Sequence, residues 1–470
     1  MNIPQNGRIA IVDDNIQQAY PLMELFGKHQ IPFTYYNGQL LGLPDEKRAN
    51  NDIRLLFLDL YLTGDQLKSD KDLKSTILPV LNRIISDNNY PYLLIFWSRH
   101  DADKGKIVEE IFKNELKQKA PINFLTLEKS EYFDLLGEKT ALYHDKIPDL
   151  FEKIDAAMIK FPVYGHLMAW ENLIHSSADN TLEEVFKINH TGPDWDNKSN
   201  YLFYRLASSF SGKNLQSFTD LERIKSGFYS LNLILNDSIE HSITTKLKID
   251  NPKLTSSKDG IDLDAIFSIN KKLLFSSESS DKVSPGIISI TIADKHNYGG
   301  ILNSAFLRHV LFDEKKRTFS RRLKDIAEAD IKPQKKKIAD EIYDKIKTRM
   351  KKTWLPIEAN VTPICDFVQC KEEYSRILPG ILLERTFKKY IDTKTEALFI
   401  SPDFKLNIPE KNVDSIYFLL LDFRYFTSIK KAELKTQMNP ILRIRQQLLT
   451  EIQSKLSRHV NRQGILFLEE

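Results

Sequence analysis

Asp13 and Asp14 stand side by side after a short apolar run, Asp59 ends a second such run, Ser98 ends a third, and Lys129 follows a fourth. Paired carboxylates with a third acid offer hard oxygen ligands for a divalent cation such as Mg2+, which keeps several waters and bridges to phosphate. A carboxylate is also a nucleophile able to carry a phosphoryl group as an acyl phosphate. An ammonium beside it would neutralise charge on the group in transit, and a hydroxyl would hydrogen-bond a phosphoryl oxygen after transfer. These five residues are therefore a candidate set for phosphoryl chemistry, provided that the fold brings them together. Any one of them alone is explained equally well as a turn former or helix cap.

The elements that would position them are legible as alternating patterns. Arg8 to Val12, Phe33 to Tyr36, Leu55 to Leu58, Tyr92 to Trp97 and Ile122 to Leu127 read as five short strands. Helical spacing covers Asn15 to about His29, Asp72 to Asp87, Ile107 to Leu116 and Ile147 to Phe161, whereas Gln39 to Asn51 is a poor helix. Strands alternating with helices predict an α/β domain with a five-stranded, parallel, doubly wound sheet. In such a sheet the site lies beyond the carboxyl ends of the strands, where the five candidates would converge.

This constellation resembles the response-regulator receiver (CheY-like) family over roughly residues 7–160. The resemblance implies that Asp59 is the phosphoacceptor, with Asp13 and Asp14 as the acidic pair, Ser98 as the switch hydroxyl and Lys129 as the invariant lysine. It further implies Mg2+ held by Asp13, Asp14, Asp59 and the backbone carbonyl of Tyr61. A histidine-kinase-like partner would donate the phosphoryl group. The chain departs from the family at Ser130, where proline is usual, at Leu127, where an aromatic switch residue is common, and at Trp97 and Arg99, where small residues flank the hydroxyl. These departures bear on the switch more than on phosphorylation, and they leave open a pseudo-receiver of fixed conformation.

Beyond residue 162 the signals are structural. A helical region is expected over 163–246, from Leu167 to Ile174, Leu182 to Phe186, Tyr201 to Phe210 and Phe218 to His241. His166, His175, Glu240 and His241 match no metal-ligand spacing, and surface or capping roles explain them more simply. Polar stretches from Asn251 to Asp262 and Ser276 to Ser284 read as loops. Strand-like runs at Ile287 to Ile292, Ala359 to Ile364, Ile381 to Glu384, Ala397 to Ile400 and Ser415 to Leu421 predict an α+β, β-rich domain over 247–470, of small-barrel type. Asn439 to Val460 reads as one amphipathic helix, with Gly464 to Leu468 as an edge strand.

Two features of this part invite a function. Lys315 to Lys352 is rich in Lys and Arg, and Pro333 is expected to divide it into two helices. Its acidic residues, and the lack of a helix-turn-helix or stacking platform, favour a solvated hairpin over a nucleic-acid face. Val361-Thr-Pro-Ile-Cys-Asp366 could supply a Cys365–Asp366 nucleophile or ligand, but no partner base can be named, and a buried structural cysteine is the simpler account. The string is also similar to ones in receiver-bearing proteins of bacterial phage-defence operons.

Composition narrows the classes. Of 470 residues 41% are hydrophobic, and 67 basic against 64 acidic residues leave a net charge of +3, so no global field selects nucleic acid. Two cysteines, no signal-peptide pattern and no apolar run long enough to span a bilayer lead to the expectation of a cytoplasmic protein without membrane contact. The sequence reading is a phosphoacceptor regulator signalling by protein–protein contact to an effector, including the kind that acts as a phosphate sink in a bacterial defence system. No enzyme activity is expected beyond phosphorylation and dephosphorylation at Asp59, and homodimerisation would follow on family grounds. The alternative is a receiver-gated effector whose residues 163–470 are an enzyme or nucleic-acid binder.

Overall fold

The computed structural model describes residues 3–49, 52–62, 69–98, 102–134, 138–187, 194–249, 254, 262–276, 283–291, 296–307, 321–322, 331–368, 373–408, 413–437 and 439–461. Its contacts divide the chain into two units, Met1–Leu206 with Gly227–Ser256, and Ala207–Ser226 with Ser257–Glu470.

The first unit is built on a five-stranded, all-parallel sheet, β1 (Ile9–Val12), β2 (Phe33–Tyr36), β3 (Leu55–Leu58), β4 (Leu93–Ser98) and β5 (Asn123–Glu128), in the order β2-β1-β3-β4-β5. Helices α1 (Ile16–Lys28), α2 (Asp70–Ile84), α3 (Ala102–Asn114) and α4 (Tyr143–Ile159) cover it. Strands buried on both faces need apolar residues at every position, which is why β1, β3 and β4 read as unbroken apolar runs. Alternate side chains go to opposite cores: Leu56, Leu58, Leu94 and Phe96 on one face, and Leu55, Phe57, Leu93, Ile95 and Trp97 on the other. The Asn15 side chain caps α1 by accepting from the Gln17 amide at 3.0 Å, and Ser69 caps α2 in the same way. Residues 39–49 form only two 3-10 turns, Leu40–Gly42 and Glu46–Arg48.

Three further helices follow, α5 (Pro162–Phe186), α6 (Trp195–Ser211) and α7 (Asp220–Thr245). The two runs expected as separate helices at 167–174 and 182–186 form the single helix α5. The polar residues between them face α7, where the Ser177 hydroxyl meets the Ser242 hydroxyl at 3.1 Å and Thr181 meets Ser238 at 3.2 Å. The start of α5 is fixed to the strands at the end remote from the candidate residues. Glu171 there pairs with Arg8, just before β1, at 2.9 Å and with Arg54, just before β3, at 3.1 Å. The expected domain limit at 162 falls where α5 begins, and that at 246 one residue past α7.

The second unit holds a nine-stranded antiparallel half-barrel: β6 (Phe275–Ser276), β7 (Ile287–Ile290), β8 (Leu355–Asn360), β9 (Tyr374–Glu384), β10 (Leu398–Ile400), β11 (Phe404–Ile408), β12 (Val413–Asp422), β13 (Thr427–Lys430) and β14 (Asn439–Ile444). Its main order is β10-β12-β9-β8-β7-β14-β6, with β11 on β12 and β13 on β9. Helix α8 (Leu263–Leu274) packs on β11, and the Phe275 ring lies 4.6 Å from that of Phe404. Helices α9 (Tyr298–Ala305) and α10 (Ile331–Thr353) cover one face of the sheet. Helix α11 (Ile364–Val368) precedes β9, α12 (Lys431–Gln437) follows β13, and α13 (Gln446–Val460) packs on the other face.

Several expectations for this unit are corrected. Asn439–Ile444 is strand β14, not helix, because Leu442 and Ile444 alternate into the core and the segment pairs with β7 and β6; the helix starts only at Gln446. The strand expected at 359–364 is displaced to Leu355–Asn360, and Ile364 opens α11 after Pro363. Pro333 lies in the first turn of α10, where a missing N–H costs nothing; residues 321 and 322 before it are also helical, and 323–330 lie outside the described residues. Most of 251–261, 277–282 and 308–330, together with Cys370 and 464–468, lies outside the described residues. Among the described residues no helix is long and apolar enough to cross a membrane.

Gly380 marks the tightest point of the half-barrel: a Cβ there would lie 2.3 Å from the Leu420 carbonyl oxygen on β12. Gly380→Ala is expected to destabilise this unit by about 1–3 kcal/mol through forced strand separation. Chemical denaturation should show the unfolding midpoint of the full chain moving down.

Candidate functional site

At the carboxyl end of the parallel sheet, β1 runs into Asp13, β3 into Asp59, β4 ends on Ser98 and β5 leads into Lys129. The fold brings these four together, and Asp14 with them. Asp13, Asp59, Ser98 and Lys129 are buried, and Asp14 is half-buried. One oxygen from each of Asp13, Asp14 and Asp59 lies within 4.8 Å of the others. Among the described residues this is the sole grouping of metal-ligating side chains, so His166, His175, Glu240 and His241 form none.

Lys129 is the centre of the cluster. Its Nζ lies 2.7 Å from Asp13 Oδ2 and 2.7 Å from Asp59 Oδ2. The Asp59 contact is an aligned hydrogen bond, whereas that to Asp13 is an ion pair without hydrogen-bond alignment. The other Asp59 oxygen, Oδ1, accepts from the Tyr61 amide at 3.3 Å. Asp13 Oδ1 accepts from the Asn15 amide at 3.0 Å, and the Tyr35 hydroxyl donates to the Asp13 carbonyl at 2.7 Å. Ser98 Oγ is buried and has no hydrogen-bond partner among the described residues.

The electrostatics show a shortage of positive charge. Two buried carboxylates, Asp13 and Asp59, share the buried Lys129 ammonium, with Asp14 in the same cluster. Burial, offset by Lys129 and reinforced by the Asp59 carboxylate, pushes the Asp13 carboxyl up from 3.8 to about 7. Burial, together with Asp13 and Asp14, likewise raises the Tyr35 phenol to about 12. An all-oxygen set with excess negative charge fits a hard divalent cation. Asp13, Asp14 and Asp59 are the side chains that would hold it, and their geometry does not single out one such metal.

Gln18 was not among the sequence candidates. It is buried beside Lys129, whose ammonium donates to its side-chain oxygen at 3.2 Å. The signal was present in the pattern: Gln18 occupies the inward stripe of α1 with Leu22, Leu25 and Phe26, where an amide is out of place unless it has buried work. Trp97 faces the opposite side of β4 from Ser98, and its indole donates to the Gln18 carbonyl at 3.1 Å. Leu127, at the position where the family has its aromatic residue, packs half-buried against the same core as Trp97. Arg99 lies outside the described residues.

Features of the second unit do not assemble into a comparable site. Cys365 is exposed, with its Sγ 3.6 Å from Asp366 Oδ1, and Asp366 pairs with Arg376 at 3.7 Å. This exposure corrects the expectation of a buried structural cysteine at that position. The neighbouring Asn360 and Thr362 are buried and hydrogen-bonded to one another at 2.6 Å, which gives that string a structural role. On α10 the basic residues at 335–337 are exposed, while Ile346 and Met350 anchor the helix to the sheet.

Comparisons with protein-family models, with curated proteins and with solved structures found no match. The CheY-like layout of the first unit therefore rests on the sheet order and the acidic cluster themselves.

Two outcomes follow. Because the folded state holds a proton on Asp13 that the unfolded chain releases above about pH 4, metal-free stability should fall as pH rises from about 4 to about 7. Thermal melts in chelator should show this slope, worth on the order of 2–4 kcal/mol, and Asp13→Asn should flatten it. Ser98→Ala removes a buried hydroxyl that has no partner, so in the metal-free protein it should change unfolding free energy by less than about 1 kcal/mol in urea titrations.

Proposed function

We propose that the first unit is a phosphoacceptor receiver and that Asp59 takes a phosphoryl group from a phosphohistidine on a histidine-kinase-like partner. The observation that carries this reading is the Lys129 ammonium placed 2.7 Å from Asp59, with the buried Ser98 at the end of the neighbouring strand β4. An Asp59 carboxylate oxygen attacks phosphorus, the phosphorus–nitrogen bond breaks, and the imidazole leaves as its nitrogen gains a proton. The product is an acyl phosphate, and attack of water on phosphorus later returns the carboxylate and inorganic phosphate. Mg2+ bound by Asp13, Asp14 and Asp59 would supply charge neutralisation at the phosphoryl oxygens.

The chain's own groups have defined parts in this reading. Lys129 is within reach of the acceptor carboxylate and can follow a phosphoryl oxygen placed on it. The Tyr61 amide holds the Asp59 carboxylate in one orientation. Ser98 Oγ gains a partner only when a phosphoryl oxygen is present, which ties occupancy to the position of β4. Output would run by protein–protein contact, to an effector or as a store of phosphoryl groups in a bacterial defence system.

Titration with beryllofluoride, a phosphoryl analogue, tests the reading. The expected result is a rise in melting temperature of the full chain that needs Mg2+ and is lost in Asp59→Asn. A chain that shows no shift with or without Mg2+ would leave the unit as a scaffold.

A further inference from the structure

We propose that Gln18 is a positioning residue for phosphoryl transfer, holding Lys129 on the acceptor side of the site and linking it to the strand that carries Ser98. The inference rests on the phosphoacceptor reading of Asp59 and extends it to a residue outside the acidic pair, acceptor, hydroxyl and lysine.

The argument begins with the lysine. An ammonium has three N–H donors and no acceptor, and when buried it needs an oxygen for each. Lys129 is fully buried and surrounded by three oxygens: Asp59 Oδ2 and Asp13 Oδ2, each at 2.7 Å, and Gln18 Oε1 at 3.2 Å. Only the bonds to Asp59 and Gln18 are aligned hydrogen bonds. Gln18 therefore supplies one of the two directional restraints on the ammonium, and it is the one that phosphorylation leaves chemically unchanged. Asp59 becomes an acyl phosphate during the reaction and loses its carboxylate charge. The amide oxygen of Gln18 stays as a fixed point while a Lys129 proton passes from Asp59 to a phosphoryl oxygen.

Gln18 is itself held from a second direction. Its backbone carbonyl accepts from the Trp97 indole at 3.1 Å, and Trp97 is fully buried with its ring against Tyr132 at 5.5 Å. Trp97 directly precedes Ser98 on β4, so the two side chains leave the strand on opposite faces. Movement of β4 toward a phosphoryl oxygen through Ser98 would pull on the indole, and hence on the turn of α1 that carries Gln18. Where Leu127 replaces an aromatic on β5, the buried aromatic next to the hydroxyl is Trp97, and its one polar atom is bonded to the residue that positions Lys129. A glutamine in the apolar stripe of α1 acquires a reason from both of its bonds.

The test uses the full chain with acetyl phosphate as donor, comparing wild type, Gln18→Met and Gln18→Glu. Methionine keeps the volume and removes the oxygen acceptor, whereas glutamate restores an oxygen facing Lys129. The expected result is a maximal phosphorylation rate about tenfold lower in Gln18→Met, recovered to within about threefold of wild type in Gln18→Glu. In Gln18→Met the Mg2+ concentration for half-maximal rate should stay within about twofold, since Gln18 is not among the three acidic groups. Equal maximal rates in wild type and Gln18→Met would overturn the inference. A joint loss of melting temperature and Mg2+ response in both variants would also overturn it, marking Gln18 as structural. A wild-type chain that takes up no phosphoryl group overturns the phosphoacceptor reading itself and Gln18's part with it.

Discussion

A single buried ammonium among three carboxylates sets the conditions for the whole first unit. Lys129 lies 2.7 Å from both Asp13 and Asp59, and it can be buried there only because those acids and Gln18 surround it with oxygen. The acids in turn can be buried only because the ammonium offsets part of their charge, and the shortfall appears as a carboxyl on Asp13 raised to about 7. Asp13, Asp59, Lys129 and Gln18 come from four different elements, so their contacts tie together β1, β3, β5 and α1 at one end of the sheet. At the other end, Glu171 does the same for the residues preceding β1 and β3 through Arg8 and Arg54. The sheet between them packs apolar side chains on both faces.

That arrangement separates two requirements that often conflict. Charge concentrated by burial makes the site attractive to a hard cation and a phosphoryl group, but costs stability in the empty protein. The buried carboxylates Asp13 and Asp59 sit at the strand ends, and the two cores flanking the sheet are built from apolar and aromatic side chains. Ser98 illustrates the same logic without charge. Its hydroxyl is buried and has no hydrogen-bond partner among the described residues, a small cost that an oxygen placed beside it would remove.

The first unit was far more legible in the sequence than the second, for physical reasons. A parallel strand buried on both faces must be a continuous apolar run, and the strands at Phe33–Tyr36 and Leu55–Leu58 stand where the pattern placed them. Site residues were legible because strand ends converge on one side of such a sheet. Gln18 was missed because its meaning depends on Lys129, 111 residues away. In the half-barrel, pairing is long-range and antiparallel, and helix and strand periods overlap in short segments. Asn439–Ile444 fitted a helical stripe as readily as an alternating one, and only its pairing with β7 and β6 decides the matter. Phe404–Ile408 alternates cleanly, with Phe404, Leu406 and Ile408 inward, and was a signal left unused.

The central claim is that Asp59 is the residue that becomes phosphorylated. Its most direct test is intact-protein mass spectrometry after incubation with acetyl phosphate and Mg2+, followed by borohydride reduction and peptide mapping. The account predicts a mass gain of one phosphoryl group per chain, and reduction that converts position 59, and no other aspartate, to homoserine. A chain that gains no phosphoryl group under these conditions, or that carries it elsewhere, would contradict the account.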